Sequence, residues 1–435
     1  MQLPDEFVRR TRALMGDERF ERYLRSFDEE PPVSIRLNPL KTQGWQPAGS
    51  SEPVPWCAGG YYLYSRPQFT FDPLFHAGCY YVQEAASMFL DEVLRQIAPP
   101  PAPVGATIAS AKPKEAPSGA VGGAALDLCA APGGKSTLLR SALPQGSVLY
   151  SNEPVRQRAS ILLENVQKWG YADHLVTNLY PRDYRKSKMK FDLILCDVPC
   201  SGEGMFRKDE ATIREWSPQN VEKCWQLQRD IVSDVWHCLN DGGLLIYSTC
   251  TFNTKENEEN IRWLLSEFDA RVLPVETRPE WNITGSLLPD FSEPVYRFIP
   301  GISRSEGLFM CVLQKGGKKT LPQPLPVRKG SKHTTTSPAL RLLTPLPHRE
   351  GSGESLSGES LVPLSYPQAL AYLRHEALVL PPDTPRGLVE VCFEGIPLGL
   401  AKNIGTRANN LYPKEWRIKS THTPQEYTPV LGRYS

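Results

Sequence analysis

Between residues 121 and 315 the chain repeats one unit, a short apolar run followed by a helical pattern. The runs are Ala124–Leu128, Val148–Tyr150, Leu175–Thr177, Phe191–Cys196 and Leu244–Ser248. They scarcely alternate polar with apolar residues, as strands buried on both faces of a parallel sheet do not. Helical patterns fill the gaps. One runs from Val155 to Trp169 and ends on Gly170; another opens at Ser217-Pro218 and carries apolar Val221, Cys224, Trp225, Val232 and Val235. That second helix is expected to stop at Asn240–Gly243. Strands and helices in alternation predict an α/β fold, a doubly wound, Rossmann-like domain over 121–315. Val295–Ile299 and Leu308–Leu313, around a Gly/Ser turn, predict an antiparallel hairpin added to its sheet.

Two stretches break this regularity. The 41 prolines are about double the usual ~5% share, and they bunch at 99–120 and 316–360. The second stretch repeats itself, Pro324–Ser331 returning as Pro345–Ser352, and offers almost nothing to bury. It is therefore expected to be a flexible linker, with 99–120 an insertion that loops out before the first strand. A Gly/Ser spacer in place of 316–360 is expected to leave the fold intact and any activity within a few-fold, since each doubling of loop length costs only about 0.6 kcal/mol; unfolding and activity of the replaced chain check this. Upstream, 1–98 forms an α+β region with a helix from Gln83 that buries Ala85, Met88, Phe89 and Val93. Downstream, 361–435 is a small β-rich unit. Across 396–420 it has five basic residues (402, 407, 414, 417, 419) against Glu415, interleaved with Tyr412 and Trp416. That composition suits RNA, and its deletion is expected to weaken RNA binding while leaving cofactor affinity unchanged.

Net charge is +1, from 49 Lys and Arg against 48 Asp and Glu, which excludes a generally basic nucleic-acid coat. No apolar run reaches the ~18 residues of a membrane helix, and the N-terminus carries no apolar signal segment. Ten cysteines without paired CxxC spacing make neither a disulfide framework nor a zinc site, so no metal and a reducing cytoplasm are expected.

The first strand runs into Asp127-Leu-Cys129-Ala130-Ala131-Pro132-Gly133-Gly134-Lys135-Ser-Thr. A phosphate-cradling Walker loop is excluded, because Cys129 stands where its first glycine must be. Glycines at a strand-to-helix turn instead suit an adenosine ligand, and Glu153, ending the second strand, is where an acid grips ribose hydroxyls. The fourth strand ends in Asp197-Val-Pro-Cys200-Ser-Gly-Glu-Gly-Met-Phe-Arg-Lys-Asp209, and the fifth in Tyr247-Ser-Thr-Cys250-Thr. Two cysteines and an aspartate thus converge on the cofactor edge, whereas Cys224, Cys238 and Cys311 read as inert buried thiols.

CAAPGGK at 129–135, DVPCSGEGMFRKD at 197–209 and YSTCT at 247–251 resemble, in order and spacing, the Sun-type (nucleolar-protein-like) family of RNA cytosine-5 methyltransferases. The likeness covers the catalytic domain and extends more loosely to Ser34–Leu40 and Lys402–Pro413, and is greatest for the bacterial ribosomal-RNA branch, which carries a C-terminal PUA-like RNA-binding module. It implies S-adenosyl-L-methionine as donor and a cytidine in RNA, ribosomal RNA or a ribosomal subunit, as acceptor, with no DNA substrate and a monomeric enzyme. It further implies that Cys250 is the nucleophile, that Cys200 assists release, and that Asp197 holds the base near the cofactor. Residues 129–135, Glu153 and Asp197 would bind the cofactor. The family usually has an acid near the position of Tyr180; either Asn178 or Asp183 substitutes, or adenine is held without a carboxylate. Rival readings are a ribosome-assembly factor without turnover, a tRNA-directed enzyme, and a DNA cytosine-5 methyltransferase, against which Cys250 argues.

Overall fold

The computed structural model of the protein describes residues 2–97, 123–316, 361–420, 422 and 424–433. The insertion at 99–120 and the linker expected over 316–360 lie outside these residues, save for Gly316. The chain opens with helices Asp5–Met15 and Asp17–Arg25. Strands β1 (Val33–Leu37), β2 (Trp45–Pro47), β3 (Ser51–Pro53), β4 (Gly60–Leu63) and β5 (Tyr80–Val82) follow, and four of them form an antiparallel sheet ordered β3-β4-β1-β5.

The helix expected from Gln83 begins later, at Phe89, and runs to Ile97. The Glu84 carboxylate accepts from the backbone N–H groups of Ala86 and Ser87, which holds Ala86–Met88 in a tighter 3₁₀ turn first. Ala85, Met88, Phe89 and Val93 are all buried, in one core with Leu138 and Leu139 of helix Gly134–Ala142.

The central sheet contains β6 (Ala124–Asp127), β7 (Val148–Asn152), β8 (His174–Thr177), β9 (Phe191–Asp197), β10 (Leu239–Thr249), β11 (Ala270–Val272), β12 (Tyr296–Phe298) and β13 (Leu308–Lys315). Its order is β11-β13-β10-β9-β6-β7-β8, with β12 also on β13. The five strands from β10 to β8 are parallel, and β11, β12 and β13 join antiparallel, as the hairpin expectation required. The winding reverses between β6 and β9. At that reversal the loops after two neighbouring strands leave in opposite directions and open a crevice at their carboxyl ends. The long helix differs from expectation: it spans Pro218–Trp236, and Asn240–Gly243 lies within β10 rather than ending a helix. Leu239 pairs with Phe191 and Leu244 with Leu193, so the polar residues between them bulge out of the ladder.

The C-terminal unit has β14 (Leu361–Pro363), β15 (Gly387–Phe393), β16 (Ile396–Asn403) and β17 (Ala408–Asn410) in one sheet, with helix Tyr366–Leu373 packed on it. Its last strand, β18 (Leu431–Arg433), leaves that sheet and pairs antiparallel with β2. Ile35, Leu74 and Tyr80 of the N-terminal region share one core with Leu370, Val391 and Leu431. Across the same contact Tyr366 Oη donates to Phe71 O (3.1 Å) and Tyr427 Oη to Asp72 Oδ1 (3.1 Å). The unit is thus docked over an apolar face. Tyr412, expected to stack on bases, is instead part of this core beside Tyr372, and Trp416 is half-buried with Lys168 Nζ 5.7 Å from its ring centroid. Among the described residues no helix is long and apolar enough to cross a membrane.

Candidate active site

The crevice at the β6/β9 reversal gathers the residues singled out in the sequence. Asp127 ends β6, and the turn after it holds Gly133 at φ +116°, a left-handed conformation in which a side chain would strain the backbone. Helix Gly134–Ala142 then starts with no side-chain cap, leaving its first N–H groups without a capping side chain. Glu153 is buried just beyond the end of β7; Val155 N–H donates to its Oε1 (3.0 Å), and Arg158 stands 3.4 Å from Oε2.

Asp197 ends β9, and both of its oxygens are engaged. Ser248 Oγ donates to Oδ1 (2.6 Å) and Lys135 Nζ to Oδ2 (2.9 Å). Burial works against the Lys135 charge, but the ion pair with Asp197 outweighs it and holds the ammonium above its ordinary value. Lys135 therefore keeps its proton at neutral pH and ties the cofactor loop to the β9 end.

Cys200 and Cys250 lie in the loops after β9 and β10, 50 residues apart in sequence, with their sulfurs 3.2 Å apart. The backbone N–H of Cys250 also points at the Cys200 sulfur (3.3 Å). Hydrogen bonding with Cys250 and burial push the Cys200 thiol well up, so Cys200 retains its proton and can donate it toward Cys250. Burial likewise raises Cys129, leaving it a neutral loop residue. Cys238 and Cys311 are buried thiols as expected, whereas Cys224 is only half-buried.

Of the substitutes considered near Tyr180, Asp183 is committed elsewhere: its Oδ2 accepts from Tyr180 N–H (3.0 Å) and caps helix Pro181–Ser187. Asn178 Nδ2 donates to the carbonyls of Glu153 (2.7 Å) and Pro154 (2.9 Å), fixing the loop that carries Glu153. Tyr180 itself is exposed, with Arg182 over its ring.

Several contributors were not singled out in the sequence. Asp127 is pushed up to about 7, chiefly by burial; Ser136 Oγ donates to its Oδ2 (2.6 Å), and its Oδ1 is buried with no partner. Arg36 of β1 is 3% exposed and reaches the cofactor-loop helix. It donates to Thr137 Oγ1 (2.6 Å), Gly134 O (3.2 Å) and Gln83 Oε1 (2.8 Å), and its guanidinium lies over Trp169. Asn38 and Lys41, at and beside the other end of the same segment, donate to Trp169 O (2.9 Å) and Lys168 O (2.6 Å) and so satisfy the end of helix Arg156–Trp169. Glu203 and Glu256 lie buried beneath the two cysteine loops.

A doubly wound sheet, an uncapped helix start beside a buried acid, and a thiol pair at the reversal mark the class of S-adenosyl-L-methionine-dependent methyltransferases. Comparisons with known proteins narrow the class. Residues 119–314 match the family described as 16S rRNA methyltransferase RsmB/F, 3–85 the N-terminal domain of 16S rRNA methyltransferase RsmF, and 359–418 the methyltransferase RsmF PUA domain. The chain belongs to the RsmB/F methyltransferase family. It is 27% identical to ribosomal RNA small subunit methyltransferase F of Klebsiella pneumoniae, over 95% of this chain and 96% of that protein. It is 31% identical to the protein of the same name from Pectobacterium atrosepticum, over 74% of this chain and 65% of that one. Among solved structures, a methyltransferase homolog protein from Pyrococcus horikoshii superposes with a TM-score of 0.56 at 25% identity, over 72% of this chain and 95% of that chain.

The residues fit the methyl donor. The unpartnered Asp127 oxygen, the Glu153 carboxylate and the uncapped helix start present acceptors and donors of the kind an adenosine and an amino-acid moiety need. Arg36 supports this cradle from the N-terminal region. Arg36→Met is expected to cost about 2–3 kcal/mol of stability, because it strips the donor from Thr137 and the Gly134 carbonyl, and to weaken cofactor binding. Urea unfolding and cofactor titration check both, and Arg36→Lys should restore little, since an ammonium lacks the planar fork.

Proposed function

We propose that the protein transfers a methyl group from S-adenosyl-L-methionine to carbon 5 of a cytidine in small-subunit ribosomal RNA, through a covalent cysteine–cytosine intermediate. One observation carries the reading: two thiols in contact at the same sheet edge as the cofactor loop. Carbon 5 of cytosine is a poor nucleophile until a thiolate adds to carbon 6. Cys250 is that thiolate, and the proton held on Cys200 stabilises it before attack and meets it again on release. Asp197, anchored by Lys135 and Ser248, accepts from the Watson–Crick edge of the base and stabilises the proton that N3 carries as the thiolate adds to carbon 6. S-adenosyl-L-methionine, when bound, supplies the methyl group as a sulfonium electrophile. Residues 129–135, Glu153 and Asp197 hold it, and its adenine end is held without a carboxylate, because Asp183 is spent on a helix cap.

The substrate assignment is supported by the names of the relatives, by the PUA match over 359–418, and by the basic residues of that unit. The enzyme acts as a cytoplasmic monomer on RNA and not on DNA. The test is methylation of small-subunit RNA and of intact small subunits with labelled donor, followed by bisulfite sequencing. Label at a bisulfite-resistant cytidine is expected; label on any other base, or none on either substrate, overturns the reading.

A further inference from the structure

We propose that Glu203 and Glu256 are a pair of positioning residues, two buried carboxylates that brace the cysteine loops against each other and hold Cys200 where it can release the Cys250 adduct. The proposal rests on the cysteine roles given above. Its ground is a reciprocal exchange of hydrogen bonds. Glu203 belongs to the Cys200 loop and reaches across to the Cys250 loop, where its Oε2 accepts from the N–H groups of Phe252 (2.7 Å) and Asn253 (3.0 Å). Glu256 belongs to the Cys250 side and reaches back, its Oε2 accepting from the N–H of Ser201 (3.0 Å) and from Gln228 Nε2 (2.7 Å).

Asn253 is the strut between them. Its Nδ2 donates to Glu203 Oε1 (3.1 Å) and to Glu256 Oε1 (2.7 Å). The residues directly after the two cysteines are joined as well, Ser201 Oγ to Thr251 Oγ1 at 2.8 Å, and Gly204 N–H donates to Cys250 O (2.7 Å). The loops run so close that a Cβ on Gly204 would sit 2.7 Å from that carbonyl oxygen.

Both carboxylates are essentially inaccessible, at 2% and 0% exposure, and among the described residues neither forms an ion pair with Lys or Arg. A buried carboxylate without a counter-ion is costly. Amides could fill the same space, but only a carboxylate accepts from three or four N–H donors with no donor of its own to satisfy. Burial and the neighbouring Glu203 push the Glu256 carboxyl up to about 7, and in its ionised form Glu256 is among the groups that keep the proton on Cys200. In release, carbon 5 loses its proton to solvent water and that C–H electron pair becomes the C5–C6 double bond. The C6–S pair returns to the Cys250 sulfur, which takes the proton held on Cys200, and Cys200 is reprotonated from solvent. That transfer needs the two sulfurs in contact, which is what the brace fixes.

The test uses the full chain, labelled RNA and S-adenosyl-L-methionine, with denaturing gels to count covalent protein–RNA adduct. Glu203→Gln, Glu256→Gln and the milder Asn253→Ser are compared with wild type, with Cys200→Ala as the trapped reference. Each is expected to turn over more slowly while its steady-state adduct rises about fivefold or more, with the cofactor dissociation constant changed by less than about twofold. Adduct no higher than wild type in the variants, beside a strong adduct in Cys200→Ala, overturns the brace and leaves the cysteine roles standing. No adduct even in Cys200→Ala overturns the cysteine roles and the brace with them. If the glutamate variants do not fold, Asn253→Ser, which keeps both carboxylates, decides the matter alone.

Discussion

Cys250→Ala is expected to abolish methylation, a loss on the order of 10⁴-fold or more, while cofactor binding stays within about twofold of wild type. The residues proposed to hold the cofactor are the turn after β6 and Glu153, and neither depends on the Cys250 sulfur for a hydrogen bond. Cys200→Ala should behave differently. Addition to carbon 6 still proceeds, but the thiol beside the departing sulfur is gone. A covalent RNA–protein species should therefore accumulate on denaturing gels. Adduct from the Cys250 variant and none from the Cys200 variant would reverse the two roles.

Removing residues 361–433 is expected to unfold the N-terminal region, not merely to weaken RNA binding. Read from sequence, the unit is a tethered module whose loss spares cofactor affinity. The packing leads to a different expectation, because Ile35, Leu74, Tyr80, Leu370, Val391 and Leu431 lie in one core and β18 pairs with β2. Each large apolar side chain returned to water costs roughly 1.5–3 kcal/mol. A handful of them equals the ~5–15 kcal/mol by which a typical domain is stable. Through Arg36 the damage reaches the helix that begins the cofactor cradle. The truncated chain should be cut by protease within 33–82, should bind a hydrophobic dye, and should bind cofactor weakly. An intact N-terminal region with a lowered RNA affinity alone would restore the tethered-module reading.

The parts legible in the sequence are those with a local signature. The parallel strands announce themselves because burial on both faces removes alternation: Leu193, Ile194 and Leu195 are all inaccessible. The cysteines stood out because each follows a strand end into a polar loop. What stayed hidden depends on partners far away in the chain. Pairing of Trp45–Pro47 with Leu431–Arg433 joins two three-residue strands, too short to carry a period and separated by most of the sequence. Arg36 lies in the Ser34–Leu40 stretch, but nothing near it in sequence shows that Gln83, Thr137 and Trp169 close over it and leave it 3% exposed. The burial of Glu203 and Glu256 stays hidden for the same reason: nothing nearby in sequence reveals the donors that surround them. Asn240–Gly243 misled in the opposite sense, since a strong turn signal was used for a bulge inside a strand.

The pairing of β18 with β2 also sets an order of events during synthesis. The strands of the N-terminal sheet end at Val82, but the strand that finishes their neighbour's ladder begins at Leu431, about 350 residues later. At roughly 5–20 residues per second that interval lasts about 20–70 s. The central sheet can complete its own winding in that time, because all eight of its strands precede Gly316. The apolar side of the N-terminal sheet must wait until Leu431–Arg433 has been made, so a nascent polypeptide stalled between 317 and 360 should be a preferred client of a hydrophobic-binding chaperone.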